Sequence, residues 1–237
     1  MEQVKFLPAG DSAVTVLFST EMNEETNRKI RFVAAQIEKK GIRGIRESVP
    51  TFCSLTIYFD PFVISEKKVE RKIQKIIKAY KEGSAGTRRV FLIPVCYDGE
   101  HAPDMDDVCT LCGLTKEEVI SIHSGTDYLI YMLGFLPGFP YLGGMDPRIE
   151  APRLDSPRTT IFEGAVGIGG KQTGIYPLAS PGGWRLIGRT PFKVYDPERE
   201  TPILYKAGDY IRFYPITEAG FDRMRQNGCE IEIREEQ

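Results

Sequence analysis

Apolar and polar positions alternate in two different ways along this chain. Ala13-Val14-Thr15-Val16-Leu17-Phe18 is a strand-like run, and residues 22–40 carry Ile30, Val33, Ala34 and Ile37 at helical spacing, with Gly41 placed to stop the helix. Residues 51–59 read as another strand, with Phe52, Leu55, Ile57 and Phe59 apolar and Asp60-Pro61 closing it. Ser65 is positioned to cap a helix whose buried stripe is Val69, Ile73, Ile76, Ile77 and Tyr80, and residues 89–96 form a further strand. With a short strand over 44–49 the order becomes β-α-β-β-α-β, which is the ferredoxin-like pattern.

The pattern then changes. Asp98-Gly99 and His101-Ala102-Pro103 lead into two short helical segments, 104–112 and 116–123. More than half of the chain's 23 glycines fall between Gly134 and Thr190, a density no long amphipathic helix survives. Short apolar pieces at 165–168, 184–187 and 192–195 lie between turn signals, and 207–213 reads as a turn feeding a closing strand. This favours an irregular all-β barrel or sandwich. The expectation is an α+β protein of two domains, an α/β domain over 1–88 and a β-domain over 89–237.

Charge removes one class of function. The 237 residues hold 31 Lys and Arg against 33 Asp and Glu, a net charge of -2, without the cationic surplus that nucleic-acid binding needs. Hydrophobic residues make up 41%, enough for a buried core. The opening Met1-Glu2-Gln3-Val4-Lys5 lacks the features of a secretory signal, so a cytoplasmic location is expected, and five cysteines, an odd number, read as free thiols. Residues 128–145 carry no formal charge over about the minimum length of a membrane span. Gly134, Pro137, Gly138 and Pro140 interrupt that segment and Asp127 and Asp146 flank it, so no membrane partner is expected.

The chemistry-bearing residues crowd into the glycine-rich half. Gly134-Phe135-Leu136-Pro137-Gly138-Phe139, Ser156-Pro157-Arg158, Gly170-Lys171-Gln172-Thr173-Gly174-Ile175-Tyr176-Pro177 and Ser180-Pro181-Gly182-Gly183-Trp184 build rigid loops, either tight turns of a barrel or a shaped surface. Arg153, Arg158, Arg185 and Arg189 among them point toward an anion or a partner. Gly164 to Gln172 is no phosphate loop: Ala165 stands where a Walker A loop needs glycine, Gln172 where it needs a hydroxyl, and Gln172 also displaces the third glycine of a dinucleotide fingerprint. Cys109 and Cys112, with His101 and His123, contain four zinc-ligand types but lack a second tightly spaced pair, so two thiols one helical turn apart is the competing reading and no metal is assigned. His123 can serve as an acid or base or as a structural hydrogen-bonding residue. Ser180, followed by Pro181 and outside any nucleophile elbow, reads as a turn former.

These motifs, with Gly188-Arg189-Thr190-Pro191 and the opening Leu7-Pro8-Ala9-Gly10-Asp11-Ser12-Ala13, resemble across essentially the whole chain the family of the B subunit of 5-oxoprolinase. The same family includes the kinase A inhibitor KipI and allophanate hydrolase subunit 1. The resemblance implies an N-terminal α/β domain followed by a cyclophilin-like β-barrel. It implies a heteromeric enzyme, assembled with the A and C subunits of 5-oxoprolinase, that uses ATP, with Mg as its possible companion, to open 5-oxo-L-proline to L-glutamate. It also offers a second role, inhibition of a sensor histidine kinase. The residues it points to are His123, Arg158 and Gln172 for catalysis, and Phe135, Pro137, Phe139, Tyr176, Ser180, Trp184 and Arg189 for substrate or partner binding. Tyr176 and Trp184 are expected to wall a cleft that the C subunit completes.

Overall fold

The computed structural model describes residues 4–81 and 88–236; the Met1-Glu2-Gln3 start lies outside them. The chain divides into two compact units, Met1–Ala85 and Gly86–Gln237.

In the first unit, β1 (Lys5–Pro8), β2 (Ala13–Leu17), β3 (Ile45–Pro50) and β4 (Ser54–Phe59) form an antiparallel sheet in the order β1-β2-β4-β3. Two helices, α1 (Glu24–Lys40) and α2 (Glu66–Lys78), cover it. Helix α1 begins two residues later than its apolar spacing suggests because the Asn23 side chain accepts the Thr26 N–H at 2.7 Å, and it ends where expected, with Gly41 in the left-handed region at φ 49°. The period of two in β2 and β4 sends Val14, Val16, Leu55 and Ile57 inward against Ile30, Val33, Val69 and Ile73. Thr15 and Thr56 meet on the opposite face at 3.0 Å. Tyr80 lies past the end of α2 instead of in its buried stripe; its hydroxyl donates to Glu25 at 2.7 Å and its ring meets Phe32 edge-on.

One expectation is corrected. The last strand of the ferredoxin-like reading, β5 (Arg88–Cys96), belongs to the second unit, and the edge beside β2 is taken by β1. The reason is visible in the burial of β5, where every residue from Val90 to Cys96 is buried. An edge strand of a two-layer sheet would bury alternate residues only, whereas a strand paired on both sides within a closed barrel buries both faces.

The second unit continues through α3 (Met105–Cys112), α4 (Lys116–Ser124), β6 (Asp127–Leu133), β7 (Pro140–Gly143), β8 (Arg158–Ile161), β9 (Ala165–Gly169), β10 (Gln172–Ile175), β11 (Ser180–Gly182), β12 (Arg185–Arg189), β13 (Tyr210–Ile216), α5 (Glu218–Asn227) and β14 (Ile233–Glu236). Strands β12-β9-β10-β7-β6-β13-β5 pair in that order, and Arg189 opposite Cys96 joins β12 back to β5, closing a barrel. Only the β13–β5 pairing in it is parallel. Strand β14 takes the same edge of β5 as β12 but at Arg88 to Phe91, so Pro94, which has no N–H to give, falls between the two pairings. Strands β8 and β11 form a separate ribbon. The uncharged segment 128–145 is the β6–β7 hairpin, and no described helix is long and apolar enough to cross a membrane. All five cysteines are free.

Candidate functional site

The β9–β10 hairpin organises the site. Its turn passes through Gly170 at φ 66°, and the pairs Gln172 with Gly169 and Gly174 with Gly167 lie opposite each other. Opposed residues in an antiparallel pair share a face. Val166, Ile168 and Ile175, from the alternate positions, join the barrel core, leaving Gly167, Gly169, Gly174 and Gln172 on the outer face. The glycines are required there by Trp184: a Cβ on Gly169 would fall 2.5 Å from the indole Nε1, and one on Gly174 would fall 3.0 Å from both the indole and the Pro140 carbonyl. The indole therefore lies directly on strand backbone. Phe139 meets it edge-on at 5.5 Å, and the Phe139 ring also meets Tyr176 at 5.2 Å and Tyr141 at 5.0 Å.

This arrangement revises the role expected of the aromatic residues. Trp184 is 4% exposed and Phe139 and Tyr176 each 2%, so they form a second small core and not the open walls of a cleft. The same geometry accounts for the glycine run at 164–172, which is strand, turn and strand. No helix N-terminus follows it to receive a phosphate.

What reaches solvent from this cluster is the loop between β6 and β7. Phe135 is 63% exposed while its ring stacks edge-on against Phe139 at 5.7 Å, and Pro137 is exposed beside it. Phe135 is the one described non-glycine residue with positive φ, 66°. That backbone costs on the order of 1–2 kcal/mol for a residue bearing a Cβ. Hydrogen bonds from Phe139 N to Leu136 O and from Gly134 N to Phe139 O hold the loop, and the buried Tyr205 hydroxyl donates to Gly138 O at 2.7 Å. A strained, exposed aromatic on a loop fastened at its base fits a contact site. Two further sequence candidates, Gln172 and Ser180, carry side-chain atoms, Nε2 and Oγ, that are buried without a hydrogen-bond partner. Each such orphan costs about 1–3 kcal/mol.

The four arginines separate by their partners. Arg158 makes a two-pronged bond to Asp104, at 2.9 and 2.6 Å, and Asp104 also accepts the Leu186 N–H at 2.6 Å. Arg185 pairs with Asp107 at 2.8 Å and donates to the Pro152 carbonyl. The start of α3 thus neutralises two of the four. Arg153 instead lies over the Trp184 ring at 5.9 Å, and Arg189 packs on Phe162 at 4.6 Å. Arg189 sits five residues beyond Trp184 along β12, about 16 Å away at strand rise, so it does not share the Trp184 neighbourhood.

His123 is placed elsewhere again. It is fully buried in the barrel, stacked on Phe213 at 4.6 Å. Thr173 gives its one hydroxyl proton to Gly167 O at 3.0 Å, so His123 Nε2 must donate to Thr173 Oγ1 at 2.9 Å and Nδ1 must accept the Tyr97 hydroxyl at 2.8 Å. Burial pushes the imidazole pKa down to about 3. A neutral ring with both nitrogens engaged and no path to solvent is a structural group, which corrects the expectation that His123 works as a catalytic acid or base. His101 packs on Phe221 in a tilted pair at 4.2 Å, and among the described residues no three metal-ligand side chains cluster. Sequence reasoning missed Tyr97, Thr173 and Asp104; the acid at the start of α3 was the one signal available.

Residues 4–205 match the model of the carboxyltransferase domain, subdomain C and D. The chain belongs to this family. Within the carboxyltransferase subdomain C and D family, it is 42% identical to the B subunit of 5-oxoprolinase from Bacillus subtilis, over 92% of this chain and 95% of that protein. It is 35% identical to the B subunit of 5-oxoprolinase from Escherichia coli O157:H7, over 92% and 99%. The crystal structure of Kluyveromyces lactis urea carboxylase superposes with a TM-score of 0.81, over 98% of this chain and 24% of that one, at 23% identity, a likeness of fold. The family resemblance carried by the motifs is borne out.

Proposed function

We propose that this chain is the B subunit of an ATP-dependent 5-oxoprolinase, contributing one side of a composite site that opens 5-oxo-L-proline to L-glutamate. The observation that carries the reading is its similarity, from end to end, to proteins named as B subunits of 5-oxoprolinase. Those names favour it over kinase inhibition.

Ring opening of an unactivated amide is slow. Transfer of the ATP γ-phosphoryl group to the amide oxygen, with ADP leaving, activates the carbon; water then adds to it, the tetrahedral adduct breaks the ring C–N bond as the nitrogen takes a proton, and a second water cleaves the resulting acyl phosphate to carboxylate and phosphate. Such a path needs cations and fixed donors around the phosphoryl group and the substrate carboxylate. In this chain the groups suited to it are the Gln172 amide, the Arg153 guanidinium and the outer edge of Arg158, with Phe135 and Pro137 as the contact to a neighbouring polypeptide. Arg158 acts while tied to Asp104, so it is pre-oriented rather than free to swing. ATP and Mg are assigned to the assembled complex, and the A and C subunits of 5-oxoprolinase are the partners.

Reconstitution tests this. The chain alone should release no glutamate, and its addition to the A and C subunits should restore ATP-dependent release; full turnover by those two without it would contradict the reading.

A further inference from the structure

A cavity of about 650 Å3 opens between the end of β12, the loop that follows it, α5 and the lead into β14. Its α5 wall lies past residue 205, where the family match ends. Two guanidinium groups flank one ring there: Arg189 lies 5.6 Å and Arg225 6.0 Å from the centre of Phe221. Among the described residues neither forms an ion pair, and Arg189 donates to the Glu163 carbonyl at 3.0 Å. Asp196, which also lines the cavity, is engaged by Arg199. Burial, then the neighbouring charge of Arg225, hold the Arg189 guanidinium below its ordinary pKa. Two like charges brought together in a half-enclosed space repel; Glu100 and Glu163 offset part of that repulsion, and an anion seated on both guanidinium groups offsets more. The remaining lining is mixed: Phe192, Met224 and Ile231 give it an apolar side, and Thr190, Lys193, Glu163 and Glu230 line it as well. A volume of this size exceeds what a bare inorganic anion fills and falls in the range of small-molecule sites.

We infer that this cavity binds an organic anion, its phosphoryl or carboxylate head on Arg189 and Arg225 and its flat apolar body against Phe192, Met224 and Ile231. The inference does not depend on the 5-oxoprolinase reading, because it concerns binding to the isolated chain.

Calorimetric titration of the full chain with 1-naphthyl phosphate, 1-naphthoate, 1-naphthol and inorganic phosphate tests it. At least one naphthyl anion should bind saturably, about tenfold or more tighter than both the neutral naphthol and inorganic phosphate, and the tighter of the two anions identifies the head group. Arg225 is exposed on α5, so Arg225→Glu should fold; it should abolish binding while raising the melting temperature by about 2 °C, as Arg189 gains a partner. Arg189→Lys, which keeps the charge and loses the fork, should weaken the anion several-fold. Absence of saturable binding by either anion, naphthol binding as tightly as both, or unchanged affinity in Arg225→Glu would overturn the site.

Discussion

On the inner face of the β9–β10 hairpin, Thr173 ends a chain of hydrogen bonds that begins at Tyr97 and passes through His123, and every polar atom in it has a partner. One residue away, on the outer face, the Gln172 amide nitrogen is buried with none, beside an indole laid on bare glycine backbone. A satisfied buried network fixes a fold and has nothing left to offer a substrate. An orphaned donor on this face and a strained, exposed Phe135 on the loop above Phe139 are the features that the proposed composite site would use. The difference teaches that the histidine, although the residue type most associated with proton transfer, belongs to the architecture, and that the neighbouring glutamine is the better candidate for chemistry.

The largest test of this contrast is Trp184→Ala. If the outer cluster is a true second core, removing the indole should cost about 3–5 kcal/mol in denaturant unfolding. A loss below about 1 kcal/mol would mean that the glycine floor supports nothing. Next comes pH. Because the folded imidazole of His123 titrates near 3 and the unfolded one near 6.5, its contribution is fully present above pH 6.5 and drains away as pH falls through that range. Between pH 7 and pH 4 this amounts to about 3 kcal/mol of lost stability. His123→Phe should be less stable at pH 7 yet lose less over the same interval; an identical pH profile in both proteins would remove His123 from the network.

Arg158→Ala leaves Asp104, 5% exposed, with the Leu186 N–H but no cation. The Arg158 side chain is 32% exposed, so solvent screening reduces the cost to about 1–2 kcal/mol. Turnover of the reconstituted complex should fall much further than that stability loss explains, and the conservative Arg158→Lys should keep the charge without restoring the rate. The smallest effect has the opposite sign. Phe135→Gly relieves the left-handed backbone and should stabilise the isolated chain by about 0.5–1 kcal/mol while weakening assembly with its partners. Stabilisation accompanied by unchanged assembly would detach Phe135 from the contact.

The sequence carried the local elements well, because caps and periodicity act over a few residues: Gly41 ends α1 where its stop was expected, although the Asn23 cap that starts it was not read, and the glycine density past Gly134 announced a β-structure. It could not say which sheet a strand joins. The run Val90-Phe91-Leu92-Ile93 is equally at home in an α/β sheet or a barrel, and what decides is pairing with β13, more than a hundred residues later. The candidate site was found by residue type, yet its interior could not be sorted from its surface. His123 meets Thr173 across 50 residues and Arg158 meets Asp104 across 54, separations at which periodicity carries no information. Trp184 was singled out as part of a wall; that the glycines exist to receive its ring is a property of the folded hairpin alone.

Hydrogen–deuterium exchange of this chain, alone and with the C subunit of 5-oxoprolinase, tests most directly that the outer face is half of a site. The expected result is strong new protection in the Phe135 loop and around Arg158 and Gly182 on binding, with the His123 network equally protected in both states. An active complex in which those segments exchange as they do in the free chain would contradict the account.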